Sequence, residues 1–402
     1  MWRILAFAAA LTLLEPAAPA FAQPVEVAPL AAPDAFSTPG RDTGLPQDLW
    51  RGASGDTLMT VLPKLAARPL SPAAAALARR VLATGAPGPQ GLGPDPAVIA
   101  ARANALTALG EPKAAAAILA RAPGLDRSAE LSRAAAESAL LSGEDARACA
   151  IAEALTAGRD EVYWLRLRTY CQAIGGHPDQ AQLTFDLAQS QAKDPAFARL
   201  MGAKLAGGGD PGPASLRTGL DYALSRNLGL DLSTAKASPE VAAALNAQGA
   251  PADPAWDIPP GDSDRLAAAR ALSVGSALPP ELVARLLDAA VKAEAPTRAS
   301  AQAAALYVAA YAGAASPDLR GRLAALGVPE GRTPVGRDLA LTQAGQDRLM
   351  GETAMLALWS SADAGPGGLA PAERARIIQA LKAAGLDQDA RNFAIEGLLG
   401  LK

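Results

Sequence analysis

The chain has 402 residues, 50% of them apolar but only 4% aromatic, and 37 basic against 40 acidic side chains leave it at −3. That length allows two or three ordinary domains, and the apolar share is enough for a sizeable core. A near-neutral balance without a basic stripe argues against nucleic acid as a partner.

Ala and Leu carry most of the apolar share, and both are helix formers without β-branching. Thirty-seven Gly and thirty-three Pro cut the chain into many short segments. The expected class is therefore all-α, built of short helices. At the start, Arg3 precedes an apolar run over 4–14, and Ala20-Phe21-Ala22 fits a small-x-small cleavage site. Residues 1–22 read as a signal peptide cut after Ala22, with the mature chain beginning at Gln23 in the periplasm. An uncleaved anchor or a buried helix is the alternative. The run is too short to span a bilayer and nothing later is long and apolar enough to do so, so no stable membrane insertion is expected after cleavage. No Cys lies near the cut to take a lipid.

Residues 23–48 are rich in Pro and Ala without a period, and read as a flexible leader. Helical punctuation follows. Ser71-Pro72, Asp194-Pro195, Ser238-Pro239 and Ser316-Pro317 each look like an N-cap with Pro at the first helical position. The boundaries expected are an N-terminal helical array over 49–206, an irregular Pro/Gly-rich connection over 207–263, and a C-terminal array over 264–402. The last hairpin is expected as 371–384, a turn at Gly385, and 388–399.

Gly110, Gly143 and Gly176 stand at equal intervals, and each is followed five residues later by Ala: Ala115, Ala148, Ala181. Each Gly lies between helical runs, as a helix C-terminal stop does. Over 101–191 this resembles the tetratricopeptide repeat, with Ala181, Phe185 and Ala188 at the family's second-helix spacing. Trp164 stands one residue from the family's first-helix Trp position. A fourth unit at Gly209 is interrupted by Pro211 and Pro213. The resemblance implies a right-handed superhelix of helix-turn-helix hairpins, an α-solenoid with an irregular middle. Such folds generally bind protein or peptide partners along a concave surface.

Cys149 and Cys171 are equidistant from Asp160 in the turn Gly158-Arg159-Asp160. Residues placed so on a helical hairpin stand side by side, which predicts a disulfide in an oxidising compartment; two buried thiols are the alternative. On the helix that follows, Trp164, Leu167, Cys171 and Ile174 share one face, expected as core. Tyr163, Arg166 and Tyr170 share another. Tyr and Arg favour binding hot spots, so these three are a candidate partner surface, against the plainer reading of a second packing face.

No chemistry of a known type is assembled. One histidine, His177, sits at a turn before Pro178, and no Gly-x-Ser-x-Gly accompanies it. Ser190-x-x-Lys193 and Ser233-x-x-Lys236 lack a following Lys-Thr-Gly. Glu137-Ser138 is similar to the Glu-Ser of soluble lytic transglycosylases, whose Ala-rich superhelix this composition resembles, but no Gly-Leu-Met-Gln follows. Asp262-x-Asp264 fits an N-cap at Ser263 or Asp264 better than a metal-nucleotide site. Catalytic residues, metal ligands and cofactors are therefore expected to be none. The expected function is a periplasmic scaffold or adaptor holding another protein or peptide. An envelope enzyme or inactive transglycosylase relative, and a purely structural envelope component, are the alternatives.

Overall fold

The computed structural model describes residues 34–401, apart from 90, 93–94, 248–252 and 314–315. The signal peptide, its cleavage site and residues 23–33 lie outside that range. Among the described residues the chain forms nineteen α-helices and no strand. The first nine are α1 (Gly55–Ala67), α2 (Pro72–Ala83), α3 (Pro96–Ala108), α4 (Pro112–Leu119), α5 (Ala129–Leu141), α6 (Asp145–Ala154), α7 (Val162–Ile174), α8 (Pro178–Gln191) and α9 (Pro195–Leu205). Then come α10 (Gly219–Asn227), α11 (Pro239–Ala247), α12 (Asp264–Ser273), α13 (Pro280–Lys292), α14 (Arg298–Ala312), α15 (Pro317–Ala324), α16 (Val335–Gln346), α17 (Met350–Ala364), α18 (Pro371–Ala383) and α19 (Asp387–Leu399).

The helix starts follow from their caps. Ser71, Asp194, Ser238 and Ser316 each accept a backbone N–H from the first turn they precede, with Pro at the first helical position. Ser263 caps α12 in the same way. The helix ends follow from a recurring turn. Glu111, Glu144 and His177 each donate a backbone N–H to the carbonyl five residues back, at 2.8, 2.8 and 2.9 Å. That bond satisfies an orphan carbonyl, and it requires a left-handed residue at the position before the donor. Gly110, Gly143 and Gly176 occupy that position at φ 81°, 80° and 80°. Each turn leads directly into the next helix, giving the pairs α3–α4, α5–α6 and α7–α8. The hairpin α18–α19 repeats the turn at Gly385, φ 86°. No helix follows directly on Gly209; the chain stays irregular until α10.

Three expectations are corrected. The leader expected over 23–48 is packed from Asp34 onward: Phe36 is 0% exposed, and its carbonyl accepts the Ala86 N–H at 3.1 Å. An aromatic side chain and a backbone hydrogen bond hold the segment where composition suggested a flexible tether. The connection expected over 207–263 contains α10 and α11. Its extended stretch is anchored too, since Trp256 Nε1 donates to Asn392 Oδ1 at 3.1 Å. Finally, the two arrays share a core. One cluster joins Leu58, Leu77 and Leu106 to Leu287, Ile378 and Phe393, because α1 packs on α17, and α2 on both α17 and α19. A second cluster, around Trp164, Phe197 and Leu224, fills the interior of α5–α10.

Candidate functional site

A cleft of about 1120 Å³ opens among the described residues. Its walls are the α1–α2 link, the outer side of α2, the α3–α4 and α5–α6 turns, and α10 with α11. Two of the recurring glycine turns therefore meet at its rim. They present Gly110 and Gly143 to the cleft. Leu65, Leu109, Leu141 and Ala243 supply apolar wall, and charged side chains interrupt it.

Those charges are unevenly shared. Arg41, Arg68, Arg79, Lys113 and Arg226 line the cleft, against Glu111 and Glu240. Arg41 pairs with Glu111 at 3.4 Å. Arg226 is held on Asp145 at 2.6 and 2.7 Å, and its guanidinium lies 5.3 Å from the centre of the Tyr222 ring. Burial works against its charge, but Asp145 outweighs burial and raises its pKa. Gly143 makes room for it: a Cβ there would stand 2.7 Å from Arg226 Nη1. Arg79 is the opposite case. Burial and neighbouring Arg41 hold its pKa below the usual arginine value, although Glu111 and Asp253 favour the charge. Lys113 and Arg68 are exposed.

The predicted site residues fare differently. Cys149 on α6 and Cys171 on α7 form a disulfide with Cα atoms 5.5 Å apart, within the range such a bond needs. The Tyr163–Arg166–Tyr170 stripe is corrected, because it is not an open surface. Tyr170 is 0% exposed, and its hydroxyl donates to Asp145 Oδ2 at 2.9 Å. Arg166 donates to the Ala192 carbonyl at 3.0 Å and pairs with Asp194 at 3.3 Å. Tyr163 is half-buried, with the Arg133 guanidinium 4.7 Å from its ring centre. The cause is that α7 packs on α6, α8 and α9 together, so more than one of its faces is covered. Trp164 and Leu167 are core as expected.

Other motifs have local roles. His177 is exposed at the start of α8. Ser190 Oγ donates to the Leu187 carbonyl at 2.8 Å, and Ser233 Oγ to Asp231 at 2.7 Å, so neither hydroxyl is held by the lysine three residues on. Glu137 Oε2 accepts the Gly219 N–H at 2.7 Å and so docks the start of α10 on α5. Burial raises its pKa. Asp264 pairs with Arg285 at 2.7 Å. No group of three or more metal-ligating side chains occurs among the described residues, and no described helix is long and apolar enough to cross a membrane.

The cleft itself escaped the sequence reading. Its walls come from segments far apart in the chain, and only the turn glycines at its rim carried a signal. Against protein-family models, curated proteins and solved structures the chain finds no match.

Proposed function

We propose that the chain is an exported scaffold or adaptor of tetratricopeptide-like hairpins, and that its cleft holds an extended segment of another protein. The observation that carries this reading is the cleft of about 1120 Å³ between successive hairpin turns and α10–α11. Its volume lies just above the range usual for small-molecule sites, roughly 300–1,000 Å³, and its walls mix apolar surface with charge, as peptide grooves do. The evenly spaced turns of α3–α8 support a repeat origin, with hairpins stacked as a right-handed superhelix. Export to the periplasm is supported by the Arg3, apolar run and Ala20-Phe21-Ala22 series and by the disulfide, which persists in oxidising compartments.

The test places a photo-crosslinking residue at Lys113, on the cleft, or at Leu183, which is 75% exposed on α8 and outside it. In cells, the Lys113 position should yield discrete polypeptide adducts in the periplasmic fraction and the Leu183 position should not. The recovered chain should begin at or near Gln23. Equal labelling from both positions would remove the cleft from the function. Full-length protein retained in the cytosol would remove the export.

A further inference from the structure

We propose that the Cys149–Cys171 disulfide is a redox switch for the cleft: a dithiol reductant that opens it frees Arg226 from Asp145 and so changes the cleft wall. This rests on reading the cleft as the binding site, but it is tested without a ligand, so either idea can fail alone.

The argument begins with where the bond sits. Cys149 lies one helical turn beyond Asp145 on α6, and Cys171 directly follows Tyr170 on α7. Asp145 accepts the Tyr170 hydroxyl at 2.9 Å, and its two oxygens take the Arg226 guanidinium at 2.6 and 2.7 Å. One carboxylate on α6 therefore joins α7 to α10, and it serves both only while α6 stays against α7. The disulfide fixes that spacing, with Cα atoms 5.5 Å apart.

The other ties of α6 run elsewhere. Its buried side chains are Ala148 and Ala152, and two methyl groups bury little apolar area. Arg147 donates to the Ala116 carbonyl of α4 at 2.6 Å. Just past the helix, the Thr156 N–H donates to the Asp126 carbonyl, ahead of α5, at 2.8 Å. α7 is held separately, by Trp164 and Leu167 in the cluster around Phe197. Opening the bond therefore leaves α6 on the α4–α5 side and lets it part from α7.

Both cysteines are half-buried, within reach of a small dithiol. A thiolate of the reductant attacks one sulfur and forms a mixed disulfide, which its second thiol then resolves. Two electrons and two protons pass to the protein, leaving two thiols, and the reductant ends as a cyclic disulfide. The chain has no other cysteine, so no other internal pairing competes. The consequence falls on the cleft. Arg226 lines it beside Gly143, where a Cβ would stand 2.7 Å from the Arg226 Nη1. Held on Asp145, this side chain is wall; released, it is free to swing into the hollow.

The experiment treats the full mature chain with dithiothreitol, confirms by mass that the bond is open, and maps arginine labelling by phenylglyoxal. Arg226 has 32% of its side chain exposed, and should react about fivefold faster or more in the reduced chain, as the loss of a charge-assisted hydrogen bond implies. Arg285, paired with Asp264 in the C-terminal half, should be unchanged. Asp145→Asn should speed Arg226 in the oxidised chain. Cys149→Ser with Cys171→Ser should speed it without reductant. Unchanged labelling of Arg226 in the reduced chain and in the serine variant would overturn the proposal. So would equal acceleration at Arg226 and Arg285, because the bond would then hold the whole fold. A bond that dithiothreitol opens only in urea would overturn it as well. None of these outcomes alters the result of crosslinking from the cleft.

Discussion

Arg102 holds a full charge at 0% exposure because carbonyls surround it. Its Nε, Nη1 and Nη2 donate to Leu82, Ala35 and Thr84 at 2.8, 2.9 and 2.8 Å, and its guanidinium lies 4.8 Å from the Phe36 ring centre. Burial pushes its pKa down to about 9, so it remains a cation at neutral pH. This fork is what ties the segment before α1 to the end of α2. Arg102→Lys keeps the charge but cannot reach three divergent carbonyls from one nitrogen, and should cost about 2 kcal/mol in urea unfolding. An unchanged midpoint would mean that the fork contributes nothing. Asp389 shows the opposite sensitivity. It is 2% exposed, and burial raises its pKa from 3.8 to about 6 although Arg80 sits 2.7 Å away. The folded chain therefore holds this proton more tightly than the unfolded chain. The resulting stability is fully present below about pH 3.8 and is lost as pH rises through about 6, on the order of 3 kcal/mol. Wild type should thus lose more stability than Asp389→Asn between about pH 4 and about pH 7. Glu137 and Asp338, also raised by burial, contribute equally to both chains and cancel in the comparison. Parallel pH profiles would refute the assignment.

At the scale of the element, the hairpin turn was the most readable feature. A left-handed residue is needed just beyond each helix, glycine meets that need without steric cost, and so the turns are written in the sequence. The disulfide was readable for a related reason, because symmetry about a tight turn fixes which residues of two helices come abreast. The Tyr163–Arg166–Tyr170 stripe was misread because angular spacing names a face without saying what covers it. The covering groups here, Asp145 on α6 and Asp194 at the start of α9, come from other elements whose approach has no signature in α7 itself. The turns yield a graded prediction. Gly176→Ala meets nothing within 4 Å and should cost only the left-handed strain, about 1–2 kcal/mol. Gly143→Ala bears the same strain and also displaces Arg226 from 2.7 Å, so it should cost about 1 kcal/mol more. Arg348 occupies the glycine position of the equivalent turn between α16 and α17, at φ 56°, with the Leu349 N–H donating to the Ala344 carbonyl at 2.9 Å. Arg348→Gly should therefore stabilise, by up to about 1 kcal/mol. Thermal melts of the three variants check the order, and equal losses at Gly143 and Gly176 would remove the close approach from the account.

For the whole molecule, the decisive contacts join the two ends. Glu352 on α17 accepts the Ser54 N–H at 2.7 Å and the Thr57 hydroxyl at 3.2 Å, so a carboxylate from the C-terminal half helps to cap α1. Glu396 on α19 accepts the Ala73 N–H at 2.7 Å at the start of α2, while pairing with Arg374 at 2.7 Å. Lys64–Asp363 at 2.9 Å and Arg80–Asp389 at 2.7 Å join the same helices. None of this is legible in periodicity, which shows that α2 and α19 each have apolar faces but not that the faces meet. The contact sets two energetic behaviours apart. In an array whose units touch only their neighbours, removing a terminal hairpin costs that hairpin and one interface, and distant units persist. Here α18–α19 contribute Ile377, Ile378, Leu381, Phe393 and Leu398 to the cluster that also contains Leu58, Leu77 and Leu106. A chain stopped after Gly368 should therefore lose amide-exchange protection in α1 and α2, some three hundred residues away in sequence, by about a hundredfold or more. Amides of α7 and α9, within the second cluster around Trp164 and Phe197, should keep most of theirs. If protection in α2 survives while only α14, α16 and α17 loosen, the two ends touch without stabilising each other, and the molecule behaves as a string of neighbours despite its shared core.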